Sequence, residues 1–205
     1  MNIVHNNTIE IPLFPLSAVL VPFGQMPLRI FERRYLDLVR DCMKSDSGFG
    51  VVWVRTGAEV VSKGVADPQL GDYGTYARII DWDQLDNGLL GITIQGSKTF
   101  DLDEVSLAAS GLMMGKTRMH PDLVPSPVLP AWQPLVDVLQ SLETHPHVQQ
   151  MNLNIDYNNG WQVAYSLVQL LPLEESLKYE LLGSENLDGL VRELDLILNQ
   201  ISGED

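Results

Sequence analysis

A proline-rich segment divides this sequence into two parts with different hydrophobic patterns. Residues 121–134 contain five prolines. Because proline fixes φ and lacks a backbone N–H, such a segment continues neither a helix nor a central strand. Before it, short β-branched runs alternate with turn residues; after it, apolar residues recur at helical spacing. We therefore expect a β-rich domain over residues 1–120, a semi-rigid linker over 121–134 and a helical subdomain over 135–205.

The first part is predicted to be mostly β-structure with one helix. Three short strands are expected, over residues 9–14, 18–22 and 49–55. Over residues 28–44 the pattern changes to that of an amphipathic helix. Its predicted apolar face comprises Phe31, Tyr35, Leu38, Val39, Cys42 and Met43. The only cysteine thus lies on a face expected to be buried, where a thiol is typically inert.

A β-hairpin is the clearest local prediction. Residues 73–82 and 89–95 are strand-like and flank the loop Asp86-Asn87-Gly88. Asn-Gly favours the positive φ angles that a tight hairpin turn needs. A further strand is expected around residues 107–117, shortly before the proline-rich segment.

The second part is predicted to be helical. Apolar stripes begin at Leu135 and, after a loop that ends at Gly160, at Trp161. Pro172 interrupts the pattern, which resumes until Gly183, a residue that suits a helix C-cap. Asn186 is expected to cap a last helix. The apolar seam of that helix is Leu187, Leu190, Val191, Leu194, Leu198 and Ile201.

Three strings carry a family resemblance. They are IPLFPLSAVLVPFGQMPLRIFERRYLDLV at 11–39, FGVV at 49–52 and GTYARIIDWDQLDNGLLGITIQG at 74–96. In order and spacing they resemble the Lon N-terminal (substrate-binding) domain family. The later run WQVAYSLVQLLPLEESLKYELL resembles the helical part that follows in Lon and in stand-alone bacterial members. The family usually has an arginine soon after Gly96; here Ser97-Lys98-Thr99-Phe100 follows, so no role of that arginine is expected.

The resemblance implies both a fold and a function. The fold is α+β: a twisted pseudo-barrel (PUA-like) β-domain with one helix, followed by a C-terminal helical bundle. The implied function is that of a stand-alone, non-catalytic protein-binding module that captures unfolded or client polypeptides. The ATPase and Ser-Lys protease domains that follow this region in full-length Lon are not expected in this chain.

Motifs for catalysis, nucleotides and metals are incomplete. The run from Ser110 to Thr117 ends in the Gly-Lys-Thr of a phosphate loop, but serine occupies the first glycine position and no helix is predicted to follow. His145-Pro146-His147 is the only close histidine pair, and further ligands are lacking. No nucleophile elbow occurs. We therefore expect no enzymatic activity, no cofactor and no metal.

The net charge of −14 limits the partners. Residues 120–205 hold two basic and 13 acidic side chains, a net charge of −11. Nucleic-acid binding depends on neutralising phosphates with Lys and Arg, so no nucleic acid is expected. A nucleic-acid-binding pseudo-barrel and an accessory subunit of a separate ATP-dependent protease are the alternative functions. With no secretory leader and no long apolar run, the chain is expected to be cytoplasmic and free of the membrane.

Four apolar side chains are the candidate substrate-binding residues. Phe23 and Met26 lie in a proline-bounded loop, and Met113 and Met114 lie shortly before the linker. Methionine adapts to varied apolar partners, which suits a surface that binds many polypeptides. Core packing is the alternative role. Expected partners are polypeptide clients or a protease or chaperone, and homo-oligomerisation is left open.

Overall fold

The computed structural model describes residues 8–57 and 68–203. These residues form a mixed α/β fold with a six-stranded sheet. They group into two compact units, an N-terminal unit that ends at Asp122 and a C-terminal unit that begins at Leu123.

The N-terminal unit consists of six strands and one helix within the described ranges. These are β1 (Thr8–Leu16), β2 (Gln25–Ile30), α1 (Arg33–Ser45), β3 (Phe49–Thr56), β4 (Gln69–Gln84), β5 (Leu90–Leu107) and β6 (Met113–Met119). The strand order is β2-β5-β4-β3-β1-β6, and β5 also pairs with β6. Pairing therefore runs from β5 through β4, β3, β1 and β6 back to β5. Of the described strands, only β2 lies outside this circuit, at an edge of β5.

Two clusters of buried side chains hold this unit together. The first forms where the amphipathic helix α1 packs its buried residues Tyr35, Leu38, Val39 and Cys42 together with apolar strand residues. The second comprises Ile11, Leu13, Val52, Phe100 and Met113. Burial raises the pKa of the Cys42 thiol, which keeps it protonated and unreactive, as its position on the apolar face predicts.

Two sequence predictions near the N-terminus are wrong. Residues 18–22 form no strand; Pro22 makes only an isolated bridge to Gly96. The second strand is β2, which includes Leu28 to Ile30, so the helix begins at Arg33 instead of Leu28. Leu28 and Ile30 fit a period of two as well as a helical period, and pairing with β5 decides between them. Phe31 consequently precedes the helix and is 62% exposed.

The predicted β4–β5 hairpin is confirmed, with a different turn. The Gly88 N–H donates to the Leu85 carbonyl at 2.8 Å, and the Leu85 N–H donates to the Leu89 carbonyl at 2.9 Å. Gly88 has a φ of +79°, whereas Asn87 is not among the residues with positive φ. A two-residue Asn-Gly turn needs positive φ at both residues, and here only the glycine has it. The two strands are therefore joined by a longer loop.

The predicted strand over 107–117 is wrong at its start. β5 ends at Leu107, and a turn in which the Gly111 N–H donates to the Ala108 carbonyl at 2.8 Å leads into β6. The Gly-Lys-Thr sequence at 115–117 lies within β6, not at the start of a helix. The structure thus supports the reading that this run is no phosphate loop.

The C-terminal unit is helical within the described residues. A single turn of 3₁₀ helix at Pro130–Trp132 precedes α2 (Gln133–Glu143), α3 (Pro146–Gln150), α4 (Gly160–Leu170), α5 (Glu175–Leu182) and α6 (Leu187–Ser202). Helix α4 contacts α2, α5 and α6. None of the helices in the described ranges is both long and apolar enough to cross a membrane.

Local capping explains where these helices begin. The Asn159 side chain accepts a hydrogen bond from the Trp161 N–H at 3.2 Å. The Asn186 side chain accepts one from the Gly189 N–H at 2.9 Å, so the predicted cap is confirmed.

The seam on α6 is buried through Leu194, but Ile201 is exposed. Helix α3, which includes His147, was not predicted.

Limited proteolysis tests the predicted linker. Val124 is 77% exposed, and residues 123–129 belong to no helix or strand apart from an isolated bridge at Pro127. A protease of broad specificity is expected to cut first within residues 121–134 and to leave two fragments, because exposed irregular backbone fits a protease cleft. Mass spectrometry identifies the cut. A first cut within α4 or β3 would contradict the predicted boundary.

Candidate functional site

Two grooves open on the surface of the N-terminal unit, one on each side of β2. The Phe31 groove has a volume of 220 Å³ and is lined by Phe14, Pro15, Leu16, Pro27, Leu28, Arg29, Ile30, Phe31, Glu32 and Tyr35. The Trp82 groove has a volume of 490 Å³ and is lined by Pro27, Leu28, Arg29, Asp81, Trp82, Asp83, Leu85, Gly91, Ile92 and Thr93. Both grooves include Pro27, Leu28 and Arg29, so β2 forms their common wall.

Strand β2 has one edge that no described strand covers. It pairs with β5 from Gln25↔Gln95 to Ile30↔Leu90, and no described strand pairs with its other edge. Pro27 lies in the middle of β2, where an edge strand tolerates the missing N–H. The proline also interrupts the row of backbone donors that would otherwise promote aggregation. The edge therefore favours contacts through side chains over a complete new ladder.

The floor of the Trp82 groove is made by small residues of β5. Gly91 pairs with Arg29 on β2 and Asp83 on β4, while the next row places Thr93 between Pro27 and Asp81. Directly opposed residues project from the same face of a sheet. A low floor thus lies between a wall with Arg29 and a wall with two carboxylates.

Gly91 is needed for this shape. A Cβ at this position would lie 2.9 Å from the Cδ2 atom of Leu85. The glycine lets Leu85, at the hairpin turn, fold over the end of the groove.

Trp82 is exposed because β4 extends past its neighbour. Pairing of β4 with β3 ends at Phe49↔Ala77, and from Arg78 to Gln84 the strand pairs only with β5 among the described strands. The Trp82 side chain is 58% exposed. A third groove of 310 Å³ lies against it and includes Met43 and Ile80, which are also exposed. Because Trp82 pairs with the buried Ile92, its side chain projects from the face of the sheet opposite to Asp81 and Asp83 and lies with this third groove.

The Phe31 groove has an aromatic floor. The ring of Tyr35, which is buried, stacks on Phe14 with a centroid distance of 4.1 Å. Phe31 stands at the rim of this groove. The groove therefore offers apolar contact area to a ligand at one end of β2.

Arg34 fixes the start of α1 beside the Phe31 groove. Its Nη1 atom donates to the Gly111 carbonyl at 2.9 Å, and its Nη2 atom lies 2.9 Å from Glu32 Oε2. The guanidinium also lies over the Tyr35 ring, 4.7 Å from the centroid. The charge is thus used to hold α1 against the β5–β6 turn, which keeps the neighbouring Phe31 and Glu32 in place.

The four predicted substrate-binding residues do not meet in one groove. Met113 is 5% exposed in the second core cluster, and Met114, the next residue of β6, is half-buried. Phe23 is half-buried with a φ of +64°, and its N–H donates to the Gly96 carbonyl at 2.8 Å. Met26 lies on β2 and packs against the first core cluster. None of the four lines the Phe31 or Trp82 groove, and their binding role stays a prediction.

Sequence reasoning missed Phe31 and Trp82. The sequence pattern predicts Phe31 on the buried face of a helix, but that helix begins two residues after it. Trp82 ends a predicted strand and stands between Asp81 and Asp83. An aromatic residue between two carboxylates, next to a hairpin turn, is the signal that could have indicated an exposed aromatic side chain.

One set of polar side chains has the order of an acid–base chain. His120 Nδ1 lies 2.9 Å from Thr99 Oγ1, and His120 Nε2 lies 3.2 Å from Asp101 Oδ1. The set lies on the exposed surface of β5 and the end of β6, and Asp101 also pairs with Arg118 at 3.4 Å. None of the three grooves includes it. We therefore interpret it as a surface hydrogen-bond chain.

Within the described ranges, no group of His, Cys, Asp and Glu could hold a metal ion.

Comparison with known proteins identifies the class. The sequence profile of the ATP-dependent protease La (LON) substrate-binding domain matches residues 10–200. The chain belongs to the LON substrate-binding domain family, whose members are substrate-recognition modules. A search of curated proteins finds no match.

Solved structures agree with this assignment. The chain is similar to a Lon N-terminal domain protein from Xanthomonas campestris, with 30% identity, a TM-score of 0.69, and 93% of this chain and 97% of that chain covered. It also resembles the N-terminal domain of Mycobacterium avium complex Lon protease. There the identity is 11% and the TM-score 0.58, with 91% and 96% of the two chains covered, so this likeness shows the fold alone.

Proposed function

We propose that this chain binds client polypeptides in an extended conformation, without catalysing their cleavage. The observation that carries the proposal is the pair of strongly exposed aromatic side chains of the N-terminal unit, Phe31 at the rim of a groove beside the edge strand β2 and Trp82 against the groove that includes Met43 and Ile80. Exposed apolar surface in a groove is typical of binding sites.

The shape of the surface supports an extended client over a folded one. Strand β2 has six residues and the grooves lie on either side of it. An extended segment rises about 3.3 Å per residue, so a few residues suffice to reach from one groove to the other. Because Pro27 interrupts the backbone edge, side chains carry most of the contact. Affinity is expected to be weak, on the order of micromolar.

We also propose the finer description of the fold. The closed circuit of pairing from β5 back to β5 supports a PUA-like pseudo-barrel. The contacts of α4 with α2, α5 and α6 support a C-terminal helical bundle. The domain boundaries at 120 and 135 stay part of this proposal. A cytoplasmic location agrees with a single, buried cysteine.

Nucleic-acid binding is the less favoured alternative. The net charge is −14, and two aspartates form one wall of the larger groove. Phosphates would be repelled from such a surface.

Replacing Phe31 by alanine tests the proposal. The expected result is about fivefold weaker binding of a fluorescently labelled unfolded polypeptide without net negative charge, such as reduced and carbamidomethylated ribonuclease A, with an unchanged melting temperature. Phe31 is largely exposed, so it contributes little to folding, whereas binding would bury its ring at roughly 25 cal/mol per Å². Fluorescence anisotropy measures the affinity.

Leu196→Ala is the matched control. Leu196 is 51% exposed on α6, in the other unit, so removing it takes away a similar exposed apolar group. It is expected to leave the affinity unchanged. Equal loss of affinity in both variants, or no loss in Phe31→Ala, would show that the Phe31 groove does not hold the client.

A further inference from the structure

We propose that Asp81 and Asp83 block the free edge of β4, so that a second copy of this chain cannot pair with it and extend the sheet. The inference goes beyond the proposed function, because it concerns self-association and does not depend on any client. It follows from the pairing of β4, from two hydrogen bonds between these side chains and the backbone, and from the positions that the carboxylates would take in a paired dimer.

The second half of β4 has one edge that no described strand covers. Its pairing with β3 ends at Phe49↔Ala77, whereas its pairing with β5 continues to Gln84↔Leu90. The side chains from Ile80 to Gln84 are all exposed. Strand β2 has a proline at its free edge, but this part of β4 has none. An exposed edge without proline is a template on which another strand can pair, so we looked for another feature that blocks it.

The hairpin turn fixes which backbone groups of β4 face this edge. The Leu85 N–H donates to the Leu89 carbonyl at 2.9 Å, so it faces β5. Successive residues of an antiparallel strand direct their N–H groups to opposite edges. The register between β4 and β5 is regular from Asp81 to Gln84. The N–H groups of Gln84 and Trp82 therefore face the free edge.

Both of these outward N–H groups already have an acceptor. The Trp82 N–H donates to Asp81 Oδ1 at 2.9 Å, and the Gln84 N–H donates to Asp83 Oδ1 at 2.7 Å. Each carboxylate thus occupies a donor that an added strand would need for its ladder. Among the described residues neither carboxylate has a basic side chain within ion-pair distance, so both charges stay beside the edge.

The charges act most strongly against the same edge of a second copy. A two-fold antiparallel pair centred on Trp82 would place Asp81 opposite Asp83 of the partner subunit, and the reverse pair would form as well. Directly opposed residues have Cβ atoms about 4.5–5.5 Å apart, where like charges destabilise the pair. On the other face this register would bring the two Trp82 side chains together. The carboxylates therefore oppose an apolar contact that would favour association.

Replacing both aspartates by alanine tests the inference. Asp81→Ala/Asp83→Ala frees the two N–H groups and removes both charges. In sedimentation equilibrium, the average mass of this variant is expected to rise with concentration toward twice that of wild-type protein at the same concentration. An alanine variant that folds and keeps the wild-type mass would overturn the inference.

The variant Asp81→Asn/Asp83→Asn separates the hydrogen bonds from the charges. Its amide oxygens can keep both hydrogen bonds, so we expect self-association about tenfold weaker than in the alanine variant but stronger than in wild-type protein. This variant also decides the test if circular dichroism shows that the alanine variant is unfolded. In that case a mass above the wild-type value supports the inference, and the wild-type mass overturns it.

Glu180→Ala/Glu193→Ala is the matched control, because it removes two exposed carboxylates from the C-terminal unit and gives the same net charge. It is expected to keep the wild-type mass. Equal association of this control and the alanine variant would show a general effect of net charge and would overturn the role of the β4 edge.

Hydrogen exchange measured by mass spectrometry locates the contact. In Asp81→Ala/Asp83→Ala, amide exchange over residues 78–84 is expected to slow as the protein is concentrated, because a paired edge protects its N–H groups. In wild-type protein the exchange of this segment should not depend on concentration. Association of the variant without slower exchange over 78–84 would overturn the assignment to this edge. No client is present in these experiments, so neither result bears on the proposed function.

Discussion

Replacing Gly96 by alanine is expected to lower the free energy of unfolding of the N-terminal unit by about 3 kcal/mol. A Cβ at this position would lie 2.2 Å from the Val21 carbonyl oxygen and 2.9 Å from Thr75 Cγ2. The first of these is a backbone atom in a fixed loop, so the clash cannot be relieved by a side-chain rotation. Calorimetry should show a melting temperature about 10 °C lower.

The loop that Gly96 contacts makes this effect large. The Gly96 N–H donates to the Gly24 carbonyl at 2.9 Å, and the Phe23 N–H donates to the Gly96 carbonyl at 2.8 Å. The buried Thr75 hydroxyl donates to the Leu20 carbonyl at 2.6 Å. Moving the loop away to admit a methyl group would break these hydrogen bonds, and each buried group left without a partner costs about 1–3 kcal/mol.

Gly189→Ala is the control for this substitution. Gly189 lies in the first turn of α6, where the nearest atom to an added Cβ is Asn186 Oδ1 at 3.4 Å. Alanine is expected to be neutral or to stabilise by about 0.5 kcal/mol, because glycine is a poor helix former. A Gly96→Ala variant with the wild-type melting temperature would show that the loop at 20–24 is not held against β5 in solution.

Elements whose signals are local could be predicted from the sequence. The Asn186 cap depends on one side chain and a backbone N–H three residues later, and the structure confirms it. The β4–β5 hairpin combines two strand-like runs with a glycine turn, so its existence was predictable even though the turn type was not. The family resemblance added the order of these elements, and the profile match over residues 10–200 confirms the resemblance itself.

Elements that depend on distant partners could not be predicted. The segment from Gln25 to Ile30 is a strand because β5, which follows 60 to 70 residues later, supplies a partner. Residues 18–22 lack such a partner strand and instead form the loop that Gly96 contacts. The same reason explains the site. Phe31 is exposed because the helix starts after it. Trp82 is exposed because β4 extends beyond the last residue that pairs with β3.

Replacing Met113 by serine is expected to lower the free energy of unfolding by about 4 kcal/mol. Met113 is 5% exposed among Ile11, Leu13, Val52 and Phe100. Truncating a buried methionine typically costs about 2–5 kcal/mol, and the new hydroxyl would be buried as well. Urea unfolding measures the change. Met114→Ser, at the half-buried neighbour, should cost only about 1 kcal/mol.

The same two variants decide whether these methionines bind clients. Met113 has almost no exposed surface and lies in neither groove, so the affinity per folded molecule for the labelled unfolded polypeptide is expected to stay unchanged in Met113→Ser. Normal stability together with lost affinity would instead place Met113 at the binding surface, as the sequence alone predicts. In that case the client would contact β6 and not the grooves beside β2. Phe31→Ala would then leave the affinity unchanged, so the two variants give opposite results for the two surfaces.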